Sequence, residues 1–498
     1  VDLTQTAETE GKHMDHTRVP MVEALVDFRR RGDVAYGPPG HRKGRGVDPR
    51  LLEVLGKGLF AADVLSLNGL DDRRQSNGIL EQAQDLMADA VHAEHAFFST
   101  CGSSLSVKSA MMSVAGPGEE LLVSRNAHKS VVSALIIAGI RPVWVHPHAD
   151  EELHLVHPPE PDDVRRALAD HPRAKGMLLI TPTDWGTCAD IAGVAAVCHD
   201  AGVPLIVDEA WGAHLPFHED LPTWGMDAGA DVVVTSVHKM GAAIEQSSVF
   251  HLQGDLVDPS VLKAREDLLG TTSSSSLVYL TLDGWRRQMM EQGHELLSAA
   301  MSRADRIRRA VEKLEGLSVM GREVVRPQGA FDLDPLVLTI DVRGLGITGY
   351  SATEWLRDTC HVDLSAADTC RISARITQGD DDRTEDVLVA ALDQLVARSD
   401  EIDRAPEVAF PRPGALELET VMRPRDAFFG PAEQVPTEQA VGRIVAEMIS
   451  PYPPGVPVLV PGERITAEVV EYLRTGKAAG MLIPDSADPE FSTLRVVA

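Results

Sequence analysis

Runs at Glu120–Ser124, 142–145, 177–181, 204–208, 231–235 and Ser248–Leu252 are short, apolar and rich in β-branched residues. That pattern predicts strands buried on both faces. Between several of them, at 105–115, 130–138, 162–169 and 193–201, apolar positions recur at helical spacing. Strand–helix–strand alternation implies parallel strands joined by right-handed crossovers, hence a doubly wound α/β domain. Such sheets bind ligands at the carboxyl ends of their strands, so functional residues are expected just after the runs above. After Gly270 the pattern changes. A Ser/Thr stretch over 271–276 leads into a long helix over 277–314. Strand-like segments follow at 318–320 and 336–341, with helices at 353–359 and 383–398.

Residues 1–20 are polar and unpatterned, 22–30 read as a short amphipathic helix, and 36–46 as a rigid loop. Proline-rich joints at 406–413 and 451–461 mark a further subdomain or tail. The expected division is an N-terminal segment over 1–65, a large domain over 66–325 and a smaller α+β C-terminal domain over 326–498. A chain of 498 residues needs more than one core.

Composition narrows the function classes. Lys plus Arg number 47 against 75 Asp plus Glu, a formal charge of −28. Such a field repels phosphate backbones and anionic lipid, which argues against nucleic-acid or membrane-surface binding, and it attracts a small cation. The longest apolar run, 131–140, is interrupted by Ser133 and Gly139 and is too short for a membrane span. Cys101, Cys188, Cys198, Cys360 and Cys370 are scattered, without a CxxC spacing. That fits reduced cytoplasmic thiols better than a disulfide frame or a zinc site.

The strongest chemical constellation lies at two predicted strand ends. Asp208 closes one strand, and Lys239 follows the next, one helix-and-strand crossover later. A lone aspartate there is commonly a cap and a lone lysine is commonly solvated; the pairing carries the chemical reading. A lysine can form a Schiff base with the aldehyde of pyridoxal phosphate, while an aspartate keeps the pyridinium nitrogen protonated. Ala210 is small enough for a ring to lie against it. Cys101-Gly-Ser-Ser104 opens a helix and offers N–H groups and the Ser103 and Ser104 hydroxyls to a phosphate. Ser236 and His238 flank Lys239 as further phosphate contacts, and His128 can stack on the ring opposite Ala210.

These stretches resemble the ornithine/lysine/arginine decarboxylase family of pyridoxal-phosphate enzymes, of fold type I. The matching segments are Pro38-Pro-Gly-His41, Asn77-Gly-Ile-Leu-Glu-Gln-Ala83, Arg125-Asn-Ala-His-Lys-Ser130, Asp208-Glu-Ala-Trp-Gly-Ala-His214 and Ser236-Val-His-Lys239. Thr271-Thr-Ser-Ser274, Arg425-Asp-Ala-Phe-Phe429 and Pro451-Tyr-Pro-Pro-Gly-Val-Pro457 continue the likeness. It implies the aspartate aminotransferase-like fold with a mostly parallel seven-stranded sheet. It further implies Lys239 as Schiff-base lysine, Asp208 at the ring nitrogen and His128 on the ring. Phosphate contacts come from Ser103, Ser104, Ser236 and His238, with Thr272 reaching in from a partner subunit of a homodimer. The family loop already appears at Pro38, so the short form without the N-terminal wing domain is expected.

Two departures stand out: Thr183-Asp-Trp-Gly186 beside the ring, and Cys-Gly-Ser-Ser at the phosphate turn. The reading is a cytoplasmic decarboxylase of arginine, ornithine or lysine, with Lys239 or His238 returning a proton to Cα. Asp63, Asp184 and Glu433 are candidate partners for a cationic substrate side chain. The rivals are an aminotransferase or oxygen-using enzyme on the same cofactor, and a non-catalytic protein that retains the fold. Ser236-Val-His-Lys239 also fits the S-x-x-K pattern of penicillin-recognising enzymes, but S-D-N and K-T-G are absent from the sequence. His146, His148, His154 and His157 sit among Pro, Asp and Glu and read as a surface loop, with no metal expected.

Overall fold

The protein is described by a computed structural model covering residues 14–65, 78–404, 406–412, 414–452 and 455–498. Asn77, Pro413, Pro453, Pro454 and most of the N-terminal arm therefore lie outside the described residues. At its centre is a seven-stranded sheet: β1 (His95–Ser99), β2 (Glu120–Ser124), β3 (Arg141–Val145), β4 (Met177–Ile180), β5 (Leu205–Asp208), β6 (Val232–Ser236) and β7 (Ser248–Leu252). Their spatial order is β1-β7-β6-β5-β4-β2-β3. The five strands from β3 to β6 run parallel, while β7 is antiparallel to both β6 and β1.

The inner strands read as continuous apolar runs because both faces are covered. Every residue of β5, β6 and β7 is buried. Pro142 is tolerated because β3 is an edge strand, where one side needs no ladder donor. Successive residues feed opposite cores. Leu205, Val207 and Val233 pack with the long helix Ser276–Val311, while Ile206, Val232 and Val234 pack with helices Ser103–Val114 and Lys129–Ala138.

A second, antiparallel sheet is formed by Ser318–Val319, Val337–Asp341, Arg371–Arg375 and Ala366–Ala367, in that order. Beyond it, the Ala432–Pro436 and Thr493–Val497 strands pair over helix Ala467–Ala478, with a core of their own. This C-terminal unit docks on the large domain through a buried ion pair. Arg125 meets Glu463 at 3.1 Å and also donates to the Pro457 carbonyl at 2.7 Å. Burial raises the Glu463 carboxyl above its ordinary range, and Arg125 opposes the shift.

The histidine-rich stretch is more ordered than a loop. His148–Asp150 and Leu155–His157 form a two-stranded hairpin. In it His148 pairs with Asp163 at 2.7 Å, His157 is buried against Asp150, and His154 stacks on Phe410. Among the described residues, no helix is long and apolar enough to cross a membrane.

Candidate active site

Asp208 ends β5, and Lys239 sits in the short helix Val237–Met240 that follows β6. Parallel register sets Asp208 beside Val234, so the two tips are neighbours. Two-residue alternation then decides which way each side chain points. Asp208 shares the face of Ile206, and Ser236 shares the face of Val234; both face the side that carries helix Ser103–Val114. The Ser236 hydroxyl donates to Ser103 Oγ at 2.6 Å. Ala210 N–H donates to Asp208 Oδ1 at 3.3 Å, and Ser236 N–H donates to the Ala210 carbonyl at 3.3 Å, tying the tips together.

The helix starting at Ser103 is capped by Gly102 at φ +75°, a backbone only glycine adopts freely, and no side chain caps it. This open helix start lies beside the β6 tip, where Ser103 meets Ser236, and a helix start of that kind favours an anion. Ser103 is half-buried there and Ser104 is exposed.

Burial lifts the Asp208 carboxyl to about 6, with Lys239 as the main opposing charge. Burial also lowers Lys239, opposed first by Asp184 and then by Asp208, while Arg375 adds to the lowering. Asp184 thus belongs to the site. The turn from Thr183 to Gly186 places it: Gly186 N–H donates to the Thr183 carbonyl at 3.0 Å, with Gly186 at φ +86°. A Cβ on Gly186 would lie 2.8 Å from Val337 Cβ, so the turn presses directly on the second sheet. The two unusual residues of this turn part company. Trp185 is buried in a cluster with Leu155, Met320 and Val324, whereas Asp184 Oδ1 accepts from Trp211 Nε1–H at 3.0 Å.

His128 caps helix Lys129–Ala138, its Nδ1 accepting from Ser130 N–H, which leaves the proton on Nε2. Burial holds His128 down at about 4, and the Lys239 charge adds to the effect. Gly455 of the C-terminal unit closes over it; a Cβ there would lie 3.4 Å from the imidazole. His238 Nδ1–H donates to the Ser247 carbonyl at 3.1 Å, and burial lowers its pKa. Both imidazoles are neutral at pH 7.

The remaining candidates lie elsewhere in the chain. Thr272 is exposed in the stretch before helix Ser276–Val311. Asp63 accepts from His41 Nε2 at 3.0 Å at the end of helix Pro49–Ala62. Glu433 is exposed and pairs with Arg443 at 2.7 Å.

Sequence reasoning missed Arg375 and gave Trp211 no role. Arg375, at the end of a second-sheet strand, lies 4.0 Å from the centre of the Trp211 ring, and Lys239 Nζ lies 4.1 Å from it. Arg375 donates to Ser373 Oγ at 2.7 Å and to the Asp184 carbonyl. Burial brings its guanidinium down to about 10, opposed by Asp184 and Asp334. Trp211 could have been found as the one aromatic inside the Asp208–His214 motif; no local signal marks Arg375.

The donor set suits pyridoxal phosphate. A buried amine and a carboxylate stand on adjacent tips, and an uncapped helix start with serine hydroxyls faces the same side. A family model for the Orn/Lys/Arg decarboxylase major domain matches residues 19–367, and one for the C-terminal domain of the same family matches 412–485. An arginine decarboxylase of Halalkalibacterium halodurans is 38% identical over 96% of this chain and 98% of its own length. One from Bacillus subtilis is 36% identical over 97% and 99%. Among solved structures, lysine decarboxylase A from Pseudomonas aeruginosa superposes with a TM-score of 0.79 at 22% identity, covering 96% of this chain and 80% of that one.

Proposed function

The chain belongs to the Orn/Lys/Arg decarboxylase family, and from that premise we propose that it removes the α-carboxylate of L-arginine as CO2 and leaves the amine. The observation that carries the reading is the Asp208–Lys239 pair on adjacent strand tips, beside an uncapped helix start. The choice of arginine over ornithine and lysine rests on the near full-length relatives that bear that name.

Lys239, Asp208, His128 and Ala210 would hold the cofactor ring, and Ser103, Ser236 and the N–H groups of the helix start would hold its phosphate. The bound cofactor supplies the electron sink for the pair released when the bond to the carboxylate breaks. Asp208 would set a negative charge against the ring nitrogen, in a buried site where water screens it poorly. His128 and His238, both neutral, add no competing cation. Lys239 Nζ, buried and flanked by two carboxylates, is the group suited to carry a proton to Cα. Arg375 and Lys239 converge on one side chain, Trp211, and form a cationic end that suits the substrate's α-carboxylate.

Thr272, exposed in one chain, supports a homodimer with shared sites, and five free thiols support a cytoplasmic setting. The test is incubation with arginine, ornithine and lysine, with and without oxygen, measuring CO2, ammonia and the carbon product. Arginine should give CO2 and amine in equal amounts, independent of oxygen. Keto acid with oxygen uptake, or preference for an acidic or apolar amino acid, would overturn the reading. Borohydride should fix the cofactor on Lys239 by peptide mapping.

A further inference from the structure

Lys239 has two carboxylate neighbours, and Asp184, the one nearer in electrostatic effect, is the one the family pattern does not supply. Its placement is tightly determined. The Thr183–Gly186 turn presents it, the Trp211 indole N–H holds Oδ1 at 3.0 Å, and the Arg375 guanidinium grips its backbone carbonyl. The same indole ring carries the Lys239 ammonium 4.1 Å from its centre. Carboxylate, indole and lysine therefore form one chain of contacts, with Arg375 closing it from the second sheet.

We propose that Asp184 is the positioning residue of Lys239: hung from Trp211 and backed by Arg375, its carboxylate fixes the indole ring on which the lysine sits and so sets the lysine's aim and its charge. The proposal rests on the reading of Lys239 as the residue that takes the cofactor. A carboxylate beside the link between lysine and cofactor stabilises its protonated form, so the pH at which the bound cofactor loses its visible band rises. The other charged and titratable groups facing Lys239 are Asp208 from the β5 tip, Arg375 from the second sheet, and His128 and His238, both neutral at pH 7. Burial lowers Lys239 most and Arg375 adds to it, while Asp184 and then Asp208 oppose the shift, so Asp184 is the first of the charges that hold the proton.

The experiment is a spectroscopic pH titration of the holoenzyme and its variants, with cofactor content measured in each. Asp184→Asn should move the midpoint of the visible band down by about one pH unit, and Asp184→Glu should restore most of it. Trp211→Phe, which keeps a ring and removes only the tether, should move it in the same direction by less. A midpoint unchanged in both Asp184→Asn and Trp211→Phe, at full cofactor content, would overturn the proposal. Absence of any cofactor band in the parent chain would instead sink the cofactor reading. In that case the pH dependence of Lys239 acetylation, read by peptide mass spectrometry, still decides whether Asp184 controls the lysine: reactivity should rise at lower pH in Asp184→Asn, and an unchanged profile would refute it.

Discussion

Asp208 and Glu209 are adjacent carboxylates, both buried, and they face opposite sides of the same sheet. On one side Asp208 meets Lys239, Asp184, Ala210 N–H and the start of helix Ser103–Val114. On the other, Glu209 Oε2 accepts from Gly225 N–H at 3.2 Å, and its Oε1 has no partner. Glu209 lines a cavity of about 100 Å³ with Thr181, Cys188 and Leu215. Burial therefore drives Glu209 well above the carboxylate range, with only one backbone donor opposing it, while Asp208 stays at about 6. The same chemical group in the same stretch of chain is held to about 6 on one face and is pushed well above its ordinary range on the other. Partners within reach, rather than burial alone, make the difference.

Three substitutions sharpen this contrast. The largest effect is expected from Asp208→Asn, which removes the charge proposed to face the cofactor's ring nitrogen. Turnover should fall by about a hundred- to a thousand-fold while the thermal midpoint holds and cofactor remains bound. Near-normal steady-state rates would show that another group does this work. Glu209→Ala should do the reverse. It strands Gly225 N–H and opens a cavity, costing about 2–4 kcal/mol in denaturant unfolding, with turnover per folded molecule nearly unchanged.

The smallest effect is a pH signature. Glu209 holds its proton more tightly folded than unfolded, where 4.5 is the ordinary value. Its contribution is fully present below that pH and is lost as pH rises toward the folded value. Glu209→Gln keeps the shape and carries no charge. Its stability relative to the parent should therefore improve steadily above pH 4.5, measured by denaturant unfolding at a series of pH values. A flat difference would mean that Glu209 is ionised in the fold.

Six of the seven central strands were readable within a residue or so, because inner strands covered on both faces are unbroken apolar runs. β1 is not among the six runs of the sequence pattern. Its partner is the antiparallel β7, and nothing local in either segment announces that pairing. Asp208, Lys239, Ser236 and Ser103 were legible for the same reason as the strands: each sits one step beyond a buried run or at a helix start. Arg375 was not, because it enters from a separate sheet whose docking depends on the Gly186 turn meeting Val337. Asp184 was flagged as a departure, but only the fold separates it from Trp185.

By itself, the sequence determined the alternation of elements, the face on which each strand-end side chain emerges, and the placing of Asp208 and Lys239 just beyond two buried runs. These follow from periods of 2.0 and 3.6, which are properties of the backbone and need no partner. The tertiary structure alone decided which groups share a pocket: Arg375, Trp211 and Asp184 with Lys239, and Glu209 with the Gly225 N–H. Electrostatic energies depend on distances of a few ångströms between groups far apart in the chain, and only packing sets those distances.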